Sequence, residues 1–406
     1  MMEILLGTAV FTGLVMALSL VVLSARAVIW GRGRARLTVN GEKSFESGLG
    51  EKLLGALHGG GIHLPTSCSG VGTCGLCRVQ VAGGEDTPLP IERTHLSEHD
   101  LQHGFRLACQ VVVRGDLDIT VAPELLGAKP WACRVQSTRT LSPLIKEIVL
   151  ALPEGEARDF AAGCYVLVSA PAFTLSFADI AVAPEHEAAW QHLGLRDFSA
   201  TSATELTRAY SLVNRPGETD TLVLNIRLAL PPANAPDAPP GCVSSYLFGL
   251  KEGDTITASG PYGNFFVRPT DSEMIFIGGG VGMAPLYAHV HDQLQRLHTT
   301  RTLHFWYGAR SMEDLYYVDQ MEALAREHEN FFWHPVLSSP KPDSPWQGAK
   351  GFVHEAVLNE YLKDHPNPQA GEYYPCGPPP MIRAVRAMLD KLGVAKDNIY
   401  SDDFGG

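Results

Sequence analysis

Four cysteines limit what this chain can be more than any other feature. Cys68, Cys74 and Cys77 stand in the spacing C-x5-C-x2-C, and Cys109 follows after thirty-one further residues. Eight cysteines in 406 residues are too sparse for a disulfide scaffold. Three within ten residues form a ligand cluster instead. Thiolates are soft ligands suited to zinc or to iron–sulfur clusters. Zinc ribbons pair two C-x2-C knuckles, and here there is one. Gly70, Gly72 and Gly75 let the loop wrap tightly with backbone N–H groups turned toward cluster sulfides, which favours iron and sulfur and leaves zinc as the minor alternative. The other cysteines, Cys133, Cys164, Cys242 and Cys376, are scattered and read as buried thiols in a reducing compartment.

The flanking pattern supplies a frame for this loop. Residues 35–45 read as a hairpin around a two-residue Asn40-Gly41 turn. Leu53, Leu54 and Leu57 then recur at helical spacing, Arg78–Val81 reads as a strand after the third cysteine, and Gln110–Val113 follows the fourth. The segment resembles plant-type ferredoxins. That resemblance implies that Cys68, Cys74, Cys77 and Cys109 hold a [2Fe–2S] cluster. The family's first gap is four residues, so the fifth residue here is a departure.

A chain of 406 residues exceeds one ordinary core and implies several domains. A net charge of -12 with no basic stripe excludes nucleic acid as a partner. From Glu3 to Arg26 nothing is charged, and Ile4–Ala25 is long enough to cross a bilayer as one helix. Arg26, Arg32, Arg34 and Arg36 follow it, and Trp30 fits an interfacial anchor. A cleaved signal would carry basic residues before the apolar run, not after it. The expectation is a single-pass anchor over residues 1–30, with the C-terminal side in the cytoplasm.

Three separated segments follow a run of strands at Ile145–Leu150 and Tyr165–Ser169. Arg208-Ala-Tyr210-Ser211 reads as the start of a strand, Gly241-Cys-Val243-Ser244 as a loop opening a helix, and Gly260–Gly263 as a strand end. A helix N-terminus with glycine and serine donors suits a diphosphate. In this order the segments resemble the FAD-binding barrel of the ferredoxin–NADP reductase superfamily. The resemblance implies that Arg208 contacts the flavin diphosphate, Tyr210 packs on the ring, Ser211 bonds near its N5, and Gly241, Val243 and Ser244 hold phosphate. About 172–207 is an insertion between strands, read as a long loop suited to docking.

Met274–Ile277 is an apolar strand running into Gly278–Gly282 and a helix; His304–Arg310 is a second buried strand; Tyr373–Met381 ends a strand and begins a helix. The glycines allow close approach to phosphate. The pattern fits a doubly wound α/β domain and resembles the pyridine-nucleotide domain of the same superfamily, with Gly279, Gly280, Gly282, Cys376, Gly377 and Pro378 as binding residues and Cys376 near the nicotinamide–flavin contact. Glu313 and Asp314 would repel a 2′-phosphate, favouring NADH over NADPH. The resemblance makes Phe404 the aromatic that covers the flavin.

The expected architecture is therefore multidomain. It comprises the anchor (1–30), a β-grasp ferredoxin-like α+β domain (34–127), an antiparallel six-stranded FAD barrel (131–268) and an α/β NADH domain (269–406), with a hinge at Gly127–Pro130. In this order the parts resemble the F subunit of the bacterial sodium-translocating NADH:quinone oxidoreductases. The implied activity is NADH oxidation by hydride transfer to FAD, then single-electron transfer to the cluster and on to other membrane subunits and quinone, in the bacterial inner membrane. Anchored reductases that feed an oxygenase are the alternative.

Overall fold

The computed structural model describes residues 11–19, 21, 33–62, 64–66, 70–72, 75–83, 87–96, 98–121, 130–232, 234–263 and 265–403. Residues 11–19 are helical, with Phe11, Leu14, Met16 and Leu18 exposed. Among the described residues no helix is long and apolar enough to cross a membrane. The rest of the expected anchor, Cys68, Cys74, Phe404 and residues 127–129 lie outside the described residues. The chain divides into two compact units, Met1–Leu126 and Gly127–Gly406.

In the first unit, β1 (Arg34–Val39), β2 (Lys43–Gly48), β3 (Arg78–Ala82), β4 (Phe105–Leu107) and β5 (Leu117–Thr120) form one sheet in the order β2-β1-β5-β3-β4. Among its described residues only β1 and β5 pair in parallel. Alternation along β1 buries Ala35, Leu37 and Val39 and leaves Arg34 and Arg36 outside. Leu53, Ala56 and Leu57 of α1 (Leu53–Gly59) join the same core. The hairpin turn is one residue longer than expected. Asn40 (φ 52°) and Gly41 (φ 70°) close it, with the Glu42 N–H on the Val39 carbonyl at 3.1 Å, but pairing resumes at Val39↔Lys43 and leaves Glu42 as an extra residue.

The second unit begins with β6 (Trp131–Ser142), β7 (Ile145–Ala151) and β8 (Cys164–Ala170). The 172–207 segment is folded, which corrects its reading as a loop. β9 (Phe173–Ser176) pairs with β10 (Ser199–Ser202) around α2 (Pro184–His192). Phe177, Ile180, Trp190, Leu195 and Ala200 enter the core of the neighbouring sheet, and the Trp190 indole N–H donates to the Pro143 carbonyl at 2.6 Å. These apolar residues are too widely spaced for either simple period to reveal them.

β11 (Leu206–Ser211), β12 (Thr221–Arg227) and β13 (Thr255–Gly263) complete an antiparallel six-stranded sheet, ordered β11-β8-β13-β6-β7-β12. A bridge at Leu212↔Leu224 and a bond from Val213 N–H to the Val223 carbonyl at 2.9 Å link the chain after β11 to β12. α3 (Cys242–Gly249) packs against this sheet.

The other six-stranded sheet of this unit is parallel. Its strands are β14 (Met274–Gly279), β15 (Leu303–Ala309), β16 (Phe331–Leu337), β17 (Ala349–Lys350), β18 (Glu372–Gly377) and β19 (Asp402–Asp403), ordered β17-β16-β15-β14-β18-β19. β14 is buried throughout: Met274 and Phe276 enter one core, Ile275 and Ile277 another. Both faces of the sheet are thus covered, as a parallel sheet requires. The helices α4 (Met283–His291), α5 (Val318–Glu327) and α6 (Pro379–Lys391) follow β14, β15 and β18.

Candidate functional site

Cys77 immediately precedes β3, and Cys109 lies two residues beyond β4. Antiparallel pairing of these strands (Arg78↔Leu107) and a bond from Ala108 N–H to the Cys77 carbonyl at 2.9 Å bring the two cysteines together. Both are buried, at 1% and 2% exposure. The strand that delivers Cys109 is clamped by a buried carboxylate. Glu92 accepts from Arg106 Nε (2.9 Å) and Nη2 (2.8 Å), from Leu107 N–H (3.0 Å) and from Leu89 N–H (2.8 Å). Burial works to raise the Glu92 pKa. The Arg106 bonds and the two backbone N–H groups overcome it and hold the carboxyl below its usual range. Sequence reading missed this pair; an arginine between Phe105 and Leu107 in a buried strand was its only signal. Among the described residues no group of three or more His, Cys, Asp or Glu side chains could hold a metal ion. Two of the four expected ligands lie outside them, and the adjacent, buried sulfur donors Cys77 and Cys109 fit a [2Fe–2S] cluster.

The Arg-x-Tyr-Ser segment ends its strand rather than starting one. β11 pairs with β8 from Leu206↔Ala170 to Ser211↔Tyr165. Beyond it the Asn214 side chain takes over the ladder, accepting from Val223 N–H at 2.9 Å and donating to the Thr221 carbonyl at 2.7 Å. Tyr210 is half-buried against the sheet's core, and burial pushes its phenol pKa well up despite the nearby Arg208 charge. Arg208 donates to the Thr207 carbonyl at 2.8 Å. Gly241 caps α3, whose first bond runs from Ser245 N–H to the Gly241 carbonyl at 2.9 Å. The N–H groups of Cys242, Val243 and Ser244 precede that bond, as a diphosphate site needs. The Val243 side chain is buried, and the Ser244 hydroxyl is engaged by the Gly241 carbonyl (2.9 Å) and Ala229 N–H (3.2 Å). Backbone rather than side chains is therefore the donor set here. A Cβ at Gly241 would lie 2.8 Å from that of Ala229, so the cradle tolerates only glycine.

At the end of β14 the turn Gly280–Gly282 leads into α4. The hydroxyls of Tyr307 and Tyr316 each donate to the Gly280 carbonyl at 2.9 Å and fix the turn. A Cβ on Gly282 would fall 2.0 Å from the Cys376 carbonyl. Gly282 therefore serves the packing of this turn against β18, and Gly377 likewise meets Gly279. Gly279, Gly280 and Pro378 line a cavity of about 240 Å³, together with Arg310 and Phe352 from the parallel sheet's side and Ile145 and Arg227 from the antiparallel sheet. An open glycine turn with two arginines fits a dinucleotide.

Buried Cys376 pairs with Gly278 on one side and Asp402 on the other. The Ser211 hydroxyl donates to the Asp402 carboxylate at 3.3 Å. The structure thus assembles Ser211 and Cys376, both expected, around Asp402, which sequence reading passed over. The two acidic residues near the cavity are also sorted. Asp314 lines it, capping its turn through Ser311 and pairing with Arg310 at 3.1 Å. Glu313 is half-exposed and bound to Lys341 at 2.5 Å.

Three family models match: the 2Fe-2S iron-sulfur cluster binding domain over residues 37–114, the oxidoreductase FAD-binding domain over 189–267 and the oxidoreductase NAD-binding domain over 276–387. Curated relatives from Marinomonas and from Neisseria meningitidis, each named as the F subunit of a Na(+)-translocating NADH-quinone reductase, are 45% identical over 405 residues, covering 100% of this chain and 99% and 100% of theirs. A solved cytochrome P450 reductase from Amycolatopsis is 26% identical, with a TM-score of 0.60, covering 91% of this chain and 98% of that one. The ferredoxin reductase of carbazole 1,9a-dioxygenase is 25% identical, with a TM-score of 0.57, covering 92% and 98%.

Proposed function

The chain belongs to the F-subunit family of the Na(+)-translocating NADH-quinone reductases, and from that premise we propose that it is the electron-entry subunit of a membrane complex, oxidising NADH and passing electrons on toward quinone. The observation that carries this reading is the convergence of Ser211, Asp402 and Cys376 in one unit of a chain that also buries two sulfur ligands. A bound flavin supplies the conversion between hydride and single electrons, which an iron–sulfur cluster accepts one at a time.

The residues divide this work. Cys68, Cys74, Cys77 and Cys109 hold the [2Fe–2S] cluster. The backbone at Gly241, Val243 and Ser244, with Arg208, binds the FAD diphosphate, Tyr210 lies on the ring, and the six-stranded antiparallel sheet is the FAD barrel. The turn at Gly279–Gly282, with Gly377 and Pro378, orients NADH. Ser211, positioned by Asp402, and Cys376 flank the point of hydride transfer and help exclude water, and Phe404 covers the flavin before nicotinamide arrives. Residues 4–25 are the single-pass anchor that keeps the remaining domains in the cytoplasm at the inner membrane. The folded 172–207 segment offers its outer face, including Glu185, His186, Glu187, His192 and Asp197, to other subunits.

The likeness to oxygenase reductases is weaker in identity than the full-length likeness to the sodium-pump relatives, which favours the pump over an oxygenase partner. Sodium-stimulated, NADH-driven quinone reduction in membranes with and without this chain tests the proposal. Equal rates in both would sink it, and flavin reduction by NADH in the purified chain would then leave only the redox core standing.

A further inference from the structure

The Gln110 side chain reaches back over the fourth cysteine. Its Nε2 donates to the Cys109 sulfur at 3.3 Å and to the Val71 carbonyl at 3.2 Å. Val71 stands in the five-residue gap between Cys68 and Cys74. Next to it Gly72 has φ 99°, and a Cβ there would lie 2.5 Å from Gln110 Nε2. The amide therefore fills space that only a glycine leaves. The Gln110 backbone is held as well: its N–H donates to the Leu107 carbonyl at 2.7 Å, and its carbonyl accepts from the Lys52 ammonium at 3.1 Å. A primary amide has two N–H bonds, and here one serves the sulfur and one the loop.

We propose that Gln110 is a positioning residue that sets the reduction potential of the iron–sulfur centre, by donating to the Cys109 ligand sulfur while anchoring the Cys68–Cys74 loop through Val71. The proposal rests on the reading of Cys109 as a cluster ligand. A hydrogen bond to a ligand sulfur withdraws electron density and stabilises the more negative, reduced centre, so it raises the potential. Within the first gap the Val71 carbonyl accepts from the glutamine, and the side-chain-free Gly72 leaves room for the amide that joins Val71 to Cys109.

The test uses the full-length chain with cofactors bound. In Gln110→Leu, iron, sulfide and FAD contents are expected to stay at the unaltered level, while the cluster's midpoint in an EPR-monitored redox titration moves to more negative values and the flavin couples do not move. An unshifted midpoint with intact contents overturns the proposal. A second measurement needs no variant. In the unaltered chain carrying nitrogen-15 only in glutamine side chains, pulsed EPR of the reduced cluster is expected to show a nitrogen-15 coupling, and its absence overturns the proposal even where Gln110→Leu fails to assemble a cluster. Cys109→Ser tests the underlying reading separately: a normal cluster in that variant removes Cys109 from the ligand set. Loss of the cluster there, with an unshifted Gln110→Leu midpoint, removes only the role of Gln110.

Discussion

The Ser211 hydroxyl donates to the Asp402 carboxylate at 3.3 Å across 191 positions of sequence. Because Asp402 pairs with Cys376 on β18, this one bond ties the antiparallel sheet to the parallel one where the two redox partners should meet. Ser211→Ala and Asp402→Asn are each expected to slow flavin reduction by NADH about tenfold, roughly the effect of one hydrogen bond of about 1.4 kcal/mol made in the transition state. FAD content should hold. Stopped-flow flavin absorbance checks this, and the double variant should lose less than the sum of the two single losses. Fully additive losses would mean that the residues act apart.

Cys376 is fully buried between Gly278 and Asp402. Replacing it by alanine keeps the strand pairing but loosens the packing around the turn. Hydride transfer is expected to slow about tenfold through misplacement, with FAD retained. Unchanged flavin reduction rates in Cys376→Ala would remove the residue from the hydride-transfer site.

Gly282→Ala would press a methyl group to 2.0 Å from the Cys376 carbonyl, a backbone atom with little freedom to move. Overpacking of this kind costs about 1–3 kcal/mol. The expected result is a lower thermal midpoint and a higher KM for NADH, with iron and sulfide contents unaltered. A variant as stable as the unaltered chain would contradict the close approach of the Gly280–Gly282 turn to β18.

Glu313 and Asp314 are adjacent in sequence yet face different conditions. Each carboxylate has a cationic partner, Lys341 for Glu313 and Arg310 for Asp314, but only Asp314 lines the cavity proposed for the nucleotide. Asp314→Asn is expected to raise kcat/KM for NADPH relative to NADH about tenfold, equivalent to about 1.4 kcal/mol of relieved repulsion. Glu313→Gln should leave the ratio near its starting value. Equal effects of the two changes would show that their different placement relative to the cavity does not set the preference.

Lys146 is 2% exposed, and its ammonium donates to the carbonyls of Ala181, at 3.3 Å, and Phe248. Burial pushes its pKa down to about 8, against about 10.4 in an unfolded chain. Between those values the unfolded state binds more protons, so stability should rise with pH over this window. The full difference is on the order of 3 kcal/mol. Denaturant unfolding of the unaltered chain and of Lys146→Met at pH 7.5 and 10 checks it: the rise should be larger in the unaltered chain, and equal slopes would reject the assignment.

The features readable from sequence were those whose chemistry is local. The C-x5-C-x2-C spacing, the glycine turn after an apolar strand and the Arg-x-Tyr-Ser segment each lie within about ten residues, so a short window contains the whole signal. Alternation likewise marked β1, helical spacing marked α1, and strand-like or apolar runs marked β7, β8 and β14, because such patterns report which residues are apolar. They do not report what the apolar side meets. The 172–207 segment looked like a loop because Phe177, Trp190 and Leu195 follow neither period, and only folding shows that they complete the core of the adjacent sheet.

The amino-acid sequence by itself determined the order of the iron–sulfur, FAD-binding and NAD-binding parts and the apolar run that became β14. Tertiary structure alone decided where Arg-x-Tyr-Ser ends its strand, that Asp402 reaches Ser211, that Glu92 clamps Arg106, and that Lys341 pairs with Glu313. Hydrogen bonds and ion pairs depend on distances of about 3 Å between groups that the chain separates by tens to hundreds of positions. Such distances follow from how strands register and sheets pack, and no residue's identity encodes them until its partner has been brought alongside.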